Sequence, residues 1–512
     1  MSEDKNSKSP LEEGESKTEN EVRGETGSSI ENESAIGLNI SVKTFVGTIA
    51  LLLGILILVG ILTHVIPQGS FEYVVEDGRE VIVPGTYTVF EDAGSLPIWR
   101  WFTAPFEVLG TEKALTAIML MLFILFIGGS FMVLEKSGIL NYLIFYIVDK
   151  FGEKKYILLA VISLVCMLLG STMGIFEETI TLVPITIALA VMLKWDTLVG
   201  IGMSILAVGV GFSAATLNPF TIGITQTLAG VPIFSGFLFR IVVMIVAYFM
   251  LLAFLITYAK KIEKNPEKSL THEADQAKRE RYEAQFKGTF VKDVKVARGL
   301  IGFVGALCVV FLYIFVGFFV QGLSDYAMPV MAIGFAGGAL LAAKIAGYKK
   351  ITITFLKGIA GIAPSILLIL LAMGITHIME TGMIIDTILN FFFNQMSGMG
   401  PYVGIAMLFA LILIMDFFVG SATAKAFLLI PIIIPLSDMM GITRQSAIQA
   451  FALGDGFTNM IYPTNVVLLI TLGVAGVSYA KWIRWTWKIQ IALIALSIVV
   501  LLIAVKINFG PF

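Results

Sequence analysis

The sequence predicts an all-α polytopic membrane protein built as an inverted-topology repeat, with two re-entrant hairpins and two discontinuous helices. Three observations carry this expectation. The 512 residues are 57% hydrophobic and only 14% charged, with a mean hydropathy of +0.89, far above an ordinary globular chain. Several apolar runs reach the roughly 20 residues a helix needs to cross a bilayer, and none alternates with the period of a membrane barrel strand. The third observation is a near-duplication inside the chain.

Gly138, Gly170-Ser171, Gly211-Phe212 and Ala229-Gly230-Val231 find counterparts in Gly382, Gly420-Ser421, Gly456-Phe457 and Ala475-Gly476-Val477, at a spacing of about 245 residues throughout. The first copy opens at Lys113, after the stretch 66–112, which carries Glu72, Glu76, Asp77, Glu80, Glu91, Asp92 and Glu107 against Arg79 and Arg100. The second opens at Lys357, after Lys349-Lys350. Basic loops stay cytoplasmic, so the copies enter the membrane from opposite sides. Such inverted repeats are an architecture of secondary transporters, with the site at the midplane.

In chain order, residues 1–41 are Ser-, Glu-, Asn- and Lys-rich and read as a disordered cytoplasmic tail, with no cleaved signal peptide. Residues 42–260 form the first transmembrane half. It starts with a span at 42–65 and contains the extracytoplasmic loop 66–112 and a hairpin at 156–194. Residues 261–297, with Lys261, Lys264, Lys268, Lys278, Arg279, Arg281, Lys287, Lys292 and Lys295, form a basic cytoplasmic linker. Residues 298–512 form the second half, with its hairpin at 402–438 and an extracytoplasmic C-terminus. The hairpin arms 156–169 and 175–193 flank the tip Gly170-Ser171-Thr172-Met173-Gly174; the second tip is Gly420-Ser421-Ala422-Thr423. After each hairpin comes a span interrupted by Pro219 or Pro463, since proline removes a backbone donor and clashes with the preceding turn. The short amphipathic pieces 139–150 and 384–394 read as separate interfacial helices, and the tally is roughly nine crossings plus two hairpins.

The returning arm of each hairpin begins at its tip, so a helix N-terminus with free N–H groups faces the midplane and suits a carboxylate. Ser171, Thr172, Ser421 and Thr423 add hydroxyls. Glu177 and Glu178 lie behind the first tip and Lys425 behind the second, with Asp416 and Asp455 nearby in sequence order. Charged groups at membrane depth mark functional sites, and four negatives against one positive favour a cation. The interrupted spans offer Thr216, Asn218, Asn459, Thr464 and Asn465; carbonyls freed there, with Thr216, Asn218, Asn459 and Asn465, would hold a coupling cation, sodium or a proton, or orient substrate. His377 is expected to bond a backbone carbonyl. Cys166 and Cys308 lie in apolar runs, without CxxC spacing, and read as packing residues. With no HExxH, GxxxxGK[ST] or G-x-S-x-G motif, enzyme and ATP-pump readings lack their parts, and a net charge of -2 gives no case for nucleic acid. No cofactor or metal site is expected.

The tip Gly170–Gly174 with Glu177-Glu178, the run Ala215-Thr216-Leu217-Asn218-Pro219-Phe220, and Asp455-Gly456-Phe457-Thr458-Asn459 with Pro463-Thr464-Asn465 resemble the YfcC-type branch of the anaerobic four-carbon dicarboxylate carrier family, over about residues 42–508. The resemblance implies an ion-transporter-superfamily fold in a cell membrane, an elevator-like motion against a scaffold, and a homodimer. It also implies a small-molecule substrate: basic amino acids, including arginine/ornithine exchange, despite the dicarboxylate family name. A dicarboxylate carrier using Lys425 is the alternative, and a non-transporting sensor or scaffold a further one.

Overall fold

The computed structural model describes residues 42–76, 79–83, 85–90, 94, 96–286, 293–317, 326–396 and 398–510; the tail 1–41 lies outside them. Among the described residues nine helices are long and apolar enough to cross a bilayer, ten if the pair Ile351–Ile362 and Ser365–Thr381, bent by 41°, counts as one more. Helices dominate because lipid cannot hydrogen-bond a bare backbone. The bend falls at Pro364, where the ring interrupts the ladder.

The helices pack in two groups. Val42–Val65, Ala114–Lys136, Val294–Gly317, Ala327–Ile345 and the bent pair lie against one another. The second group holds both hairpin stretches, both interrupted spans, and the long helices Phe237–Lys264 and Tyr479–Lys506. Helix Val183–Met192 of the first hairpin stretch packs on Val466–Ala475, and helix Ala422–Met439 of the second packs on Pro219–Leu228, so each returning arm meets the interrupted span of the other half.

The two hairpin stretches differ in detail. Pro401–Phe418 and Ala422–Met439 meet at a three-residue turn, with Ser421 capping the second helix through the Ala424 N–H at 3.3 Å. In the first, Lys155–Leu168 passes through a π-type turn, Leu169–Met173, to Gly174 in the left-handed region, and the return begins as a 3-10 turn, Glu177–Thr181, before Val183–Met192. The helix N-terminus expected at this tip is therefore displaced to Val183, where Pro184 fits the first turn. Nor is the piece at 139–150 a separate interfacial helix. Ile139–Phe151 runs through one 3-10 turn, Gly152–Lys154, into the hairpin arm, a 35-residue helical stretch to Met173. Gly152 keeps right-handed helical angles, while Phe151 and Lys154 on either side of the turn depart from them.

The acidic loop contains local structure that its composition did not announce. Gly69–Ser70 pairs with Thr88–Val89 and Tyr73–Glu76 with Arg79–Ile82, both antiparallel, and helix Ile98–Glu107 follows. The loop is anchored by Asp386, which accepts from the Phe71 N–H at 3.0 Å and the Tyr73 hydroxyl at 2.9 Å. The basic linker forms helix His272–Phe286, which grips the ends of three other helices. Asp275 accepts from the Thr197 N–H at 2.8 Å, Lys278 donates to the Ala475 carbonyl at 3.0 Å, and Arg279 donates to the Trp195 carbonyl at 3.2 Å. An acid at a helix start and bases at helix ends complement the orphan backbone groups.

Candidate functional site

The two interrupted spans cross at the centre of the second group. Gly456 permits the contact: a Cβ there would stand 2.4 Å from the Ser213 backbone nitrogen. The first break is tied to the first tip. The Ser171 carbonyl accepts from the Thr216 N–H at 2.9 Å and the Leu217 N–H at 3.2 Å, while the Ser171 hydroxyl donates to the Ala214 carbonyl at 2.9 Å. Gly174, at φ 66°, lies so close to Asn218 that a Cβ would be 2.5 Å from Oδ1.

Most residues expected to bind a ligand are committed to the protein itself. Ser171 is fully buried and its hydroxyl is taken; the Thr172 hydroxyl donates to the Leu168 carbonyl at 2.7 Å. Asn218 caps the helix after the first break, Oδ1 accepting from the Phe220 and Thr221 N–H groups at 2.9 and 3.3 Å. Asn465 does the same after the second break through the Leu468 N–H at 3.0 Å, and its amide donates to Asn459 Oδ1 at 2.7 Å. Asn459 Nδ2 donates to the Asp455 carbonyl at 2.9 Å. Asparagine is a favoured cap for the reason it was a candidate ligand: a short side chain with an accessible oxygen.

Three of the break carbonyls are taken by protein side chains. Arg240 Nε donates to the Thr216 carbonyl at 3.3 Å. At the second break, Trp482 Nε1 donates to the Met460 carbonyl at 2.8 Å and the Tyr479 hydroxyl to the Ile461 carbonyl at 2.5 Å. In this structure the side-chain oxygens of Asn218, Asn459 and Asn465 accept from protein donors, and the Thr216 hydroxyl donates to the Ser171 carbonyl. Buried carbonyls must be paired, and here the long helices Phe237–Lys264 and Tyr479–Lys506, one helix further along the chain, supply the donors. Sequence reading missed Arg240 as a site residue. An arginine just inside a 28-residue apolar helix, Phe237–Lys264, was its signal.

The charged residues separate into two sets. Lys425 is fully buried and bonded to both Asp416 and Asp455, at 2.5 Å from Asp455 Oδ1; Thr458 donates to the other oxygen of Asp416. The second set is Glu177 and Glu178. Among the described residues no lysine or arginine pairs with either; Glu178 is 9% exposed and Glu177 half-buried. Glu177 and Glu178 are adjacent on the same 3-10 turn. The hydroxyls of Thr423 and Thr464, both part-exposed, have no hydrogen-bond partner among the described residues, and Ser421 at the second tip is exposed.

His377 does not bond a backbone carbonyl through its ring. Its Nε2 lies 3.4 Å from Glu107 Oε2 and 3.5 Å from the Thr381 hydroxyl. Arg100 beside Glu107, with the Thr103 hydroxyl and His377, holds that carboxyl down to about 2 despite its partial burial. The histidine therefore ties the helical end of the acidic loop to Ser365–Thr381.

Helices long and apolar enough to span a bilayer, interrupted helices among them and interior carboxylates without a cationic partner are the features of a polytopic membrane transporter. The chain belongs to the C4-dicarboxylate anaerobic carrier family (DcuC), whose model matches residues 45–506. It is 28% identical over 469 residues to the "Putative basic amino acid antiporter YfcC" of Escherichia coli (strain K12), covering 85% of this chain and 92% of that one. It is also 28% identical over 433 residues to an uncharacterized protein of Haemophilus influenzae, covering 84% and 82%. Among solved structures it is similar to the YdaH transporter of Alcanivorax borkumensis, at a TM-score of 0.42 and 16% identity over 91% of this chain and 100% of that one. It is similar too to MtrF of Neisseria gonorrhoeae, at 0.40 and 15% over 90% and 95%.

Proposed function

We propose that this carrier moves amino acids, basic ones in particular, by exchange or ion-coupled uptake. The observation that carries the reading is the uneven pairing of charge. The one lysine at the centre is engaged by two aspartates, whereas Glu177 and Glu178 have no cationic partner. Adjacent carboxylates in an apolar surround need a counter-charge, and the cationic end of a basic amino acid provides it. Its carboxylate goes to the open second tip, where the first N–H groups of Ala422–Met439 lie beside Ser421 and Thr423. Thr464, part-exposed and with its hydroxyl unpaired among the described residues, is a further polar contact in this reading; Ser171, Thr172, Asn218, Asn459 and Asn465 hold the frame. A relative carrying an antiporter name for basic amino acids agrees with this. A dicarboxylate reading would require Lys425 as the anion partner, and that ammonium is already bonded twice.

The same reading includes an inverted repeat with two re-entrant hairpins. Supporting it, Gly230 and Gly476 both close their helices in the left-handed region, at φ 64° and 68°. The basic linker grips the first hairpin stretch, through Arg279 on Val191 and Trp195, whereas the acidic loop's strand Arg79–Ile82 packs on the second. Opposite faces for the two hairpins follow, with the N-terminus cytoplasmic and the C-terminus extracytoplasmic. The two-group packing suits an elevator-like movement of the hairpin group against the other, in a homodimer. Counterflow of labelled arginine into proteoliposomes loaded with unlabelled arginine or ornithine tests the reading; counterflow of succinate alone would replace it with the dicarboxylate one.

A further inference from the structure

Asp416, Lys425 and Asp455 come from three elements, Pro401–Phe418, Ala422–Met439 and Arg444–Thr458, and meet in the protein interior with exposures of 3%, 0% and 0%. Two carboxylates and one ammonium leave one negative charge uncompensated, and an isolated charge removed from water is costly. Three of the four carboxylate oxygens have partners: Lys425 bonds one oxygen of each aspartate, and Thr458 the second of Asp416. The fourth, Asp455 Oδ2, is fully buried with no partner. We propose that this trio is the coupling site of the transporter and that the ion it carries is a proton, shared by Asp416 and Asp455 and released when a cationic substrate binds.

The chemistry at the orphan oxygen selects the ion. A dehydrated metal cation needs a cage of several oxygens. Here the neighbouring amide of Asn459 is bonded to Asn465 and to the Asp455 carbonyl, and the nearby break carbonyls are capped by Trp482 and Tyr479. One free oxygen suffices for a proton. A proton on either aspartate leaves a neutral lysine–aspartate pair, and two interacting carboxyls titrate as a unit.

The elements around the trio make it responsive to substrate. Lys425 bonds Asp455 and joins it to Asp416, and the 3-10 turn Glu177–Thr181 carries two further carboxylates, Glu177 and Glu178. Ala207–Ser213 and Pro219–Leu228, which also pack on Arg444–Thr458, carry no ionisable residue. On Tyr479–Lys506, Lys481, Arg484 and Lys488 are exposed, while buried Trp482 and Gln490 occupy the inner face. Tyr462 bonds the Leu413 carbonyl. Of these carboxylates Glu177 is the most exposed, being half-buried. A cation seated on Glu177 and Glu178 stabilises the ionised form of Asp455, and the proton leaves to solvent. By reciprocity, a proton on the trio weakens binding of the cation, which is the condition for antiport. This inference rests on the basic-substrate reading of Glu177 and Glu178.

The test uses purified full-length protein and two variants, Asp455→Asn and Asp416→Asn, each of which leaves one lysine and one aspartate and so retains a neutral pair. The first readout is the infrared carbonyl stretch of a protonated carboxyl, followed through a pH titration. The second is proton release on adding arginine in weakly buffered detergent. The wild type should show a protonated-carboxyl band that one or both variants lack, and release about one proton per arginine bound, with near none from the variants. Bands identical in all three proteins, or full proton release from both variants, would overturn the proposal. If arginine binds the wild type without releasing protons, the proton site is wrong and the amino-acid reading stands. If arginine does not bind at all, the substrate reading falls, and the infrared band alone decides whether the trio holds a proton.

Discussion

Arg240 and Thr216 are joined across the first break: the guanidinium Nε donates to the Thr216 carbonyl at 3.3 Å, while its Nη2 donates to the Ser235 carbonyl at 2.6 Å. A single planar side chain thus closes the Thr216 carbonyl and shares the Ser235 carbonyl with Gln226 Nε2, at 2.9 Å. Arg240→Met should lower the thermal unfolding midpoint of the purified protein, by the equivalent of about 1–3 kcal/mol for the uncovered carbonyls. Arg240→Lys should not restore it, because a point charge cannot serve both acceptors in the fork geometry. A fully stable methionine variant would show that these carbonyls find other partners.

Gly174 and Gly420 each lie near a helix interruption but in different surroundings. Gly174→Ala must hold a positive φ, at about 1–2 kcal/mol, and push its Cβ against Asn218; Gly420→Ala meets nothing within 4 Å. We expect the first to lose folded protein and transport and the second to purify normally, as judged by size-exclusion profiles. Equal behaviour would mean that the first tip is not packed as described.

The contrast shows what was legible from sequence. The helix interruptions near Gly174 and Gly420 and at Asn218 and Asn465, with the charged residues near them, were readable, because Gly, Pro, Asn and buried charge are local signals. The partners were not. Nothing in the local sequence near Asn218 or Asn465 separates a helix cap from a ligand, and the bond from Trp482 to Met460 links residues on either side of an intervening helix. Likewise Lys425 looked available for substrate until Asp416 and Asp455 were brought to it by two other helices. The loop strands escaped notice because runs as short as Tyr73–Glu76 carry almost no periodicity.

Lys425→Met leaves two aspartates facing each other in the interior. Loss of one partner from a buried ion pair costs about 3–5 kcal/mol, so the variant should aggregate or melt early, and adding Asp455→Asn should recover part of the loss. A lysine variant that melts normally and fails only in succinate uptake would return Lys425 to the substrate site.

Asp196 caps helix Thr197–Ile201 through the Val199 N–H at 2.9 Å and accepts from Tyr258 and Ser269. Burial, reinforced by the charge of Asp275, raises its carboxyl to about 6 from 3.8. The folded state therefore holds this proton more tightly than the unfolded chain does. The penalty for the ionised form is fully present above about pH 6, shrinks as pH falls towards about 4, and amounts to ~3 kcal/mol at most. Asp196→Asn, which keeps a cap, should be at least as stable as wild type at neutral pH and should lose the relative gain of wild type on acidification. Parallel pH–stability curves for the two proteins would contradict this.

The central claim is that Glu177 and Glu178 receive the cationic end of the substrate, and counterflow tests it directly. In proteoliposomes, wild-type protein should accumulate labelled arginine against unlabelled ornithine. Glu177→Gln and Glu178→Gln should each reduce the initial rate by at least about tenfold, the equivalent of ~1.4 kcal/mol. Unchanged arginine counterflow in both variants, or counterflow of labelled succinate with none of arginine, would contradict the account.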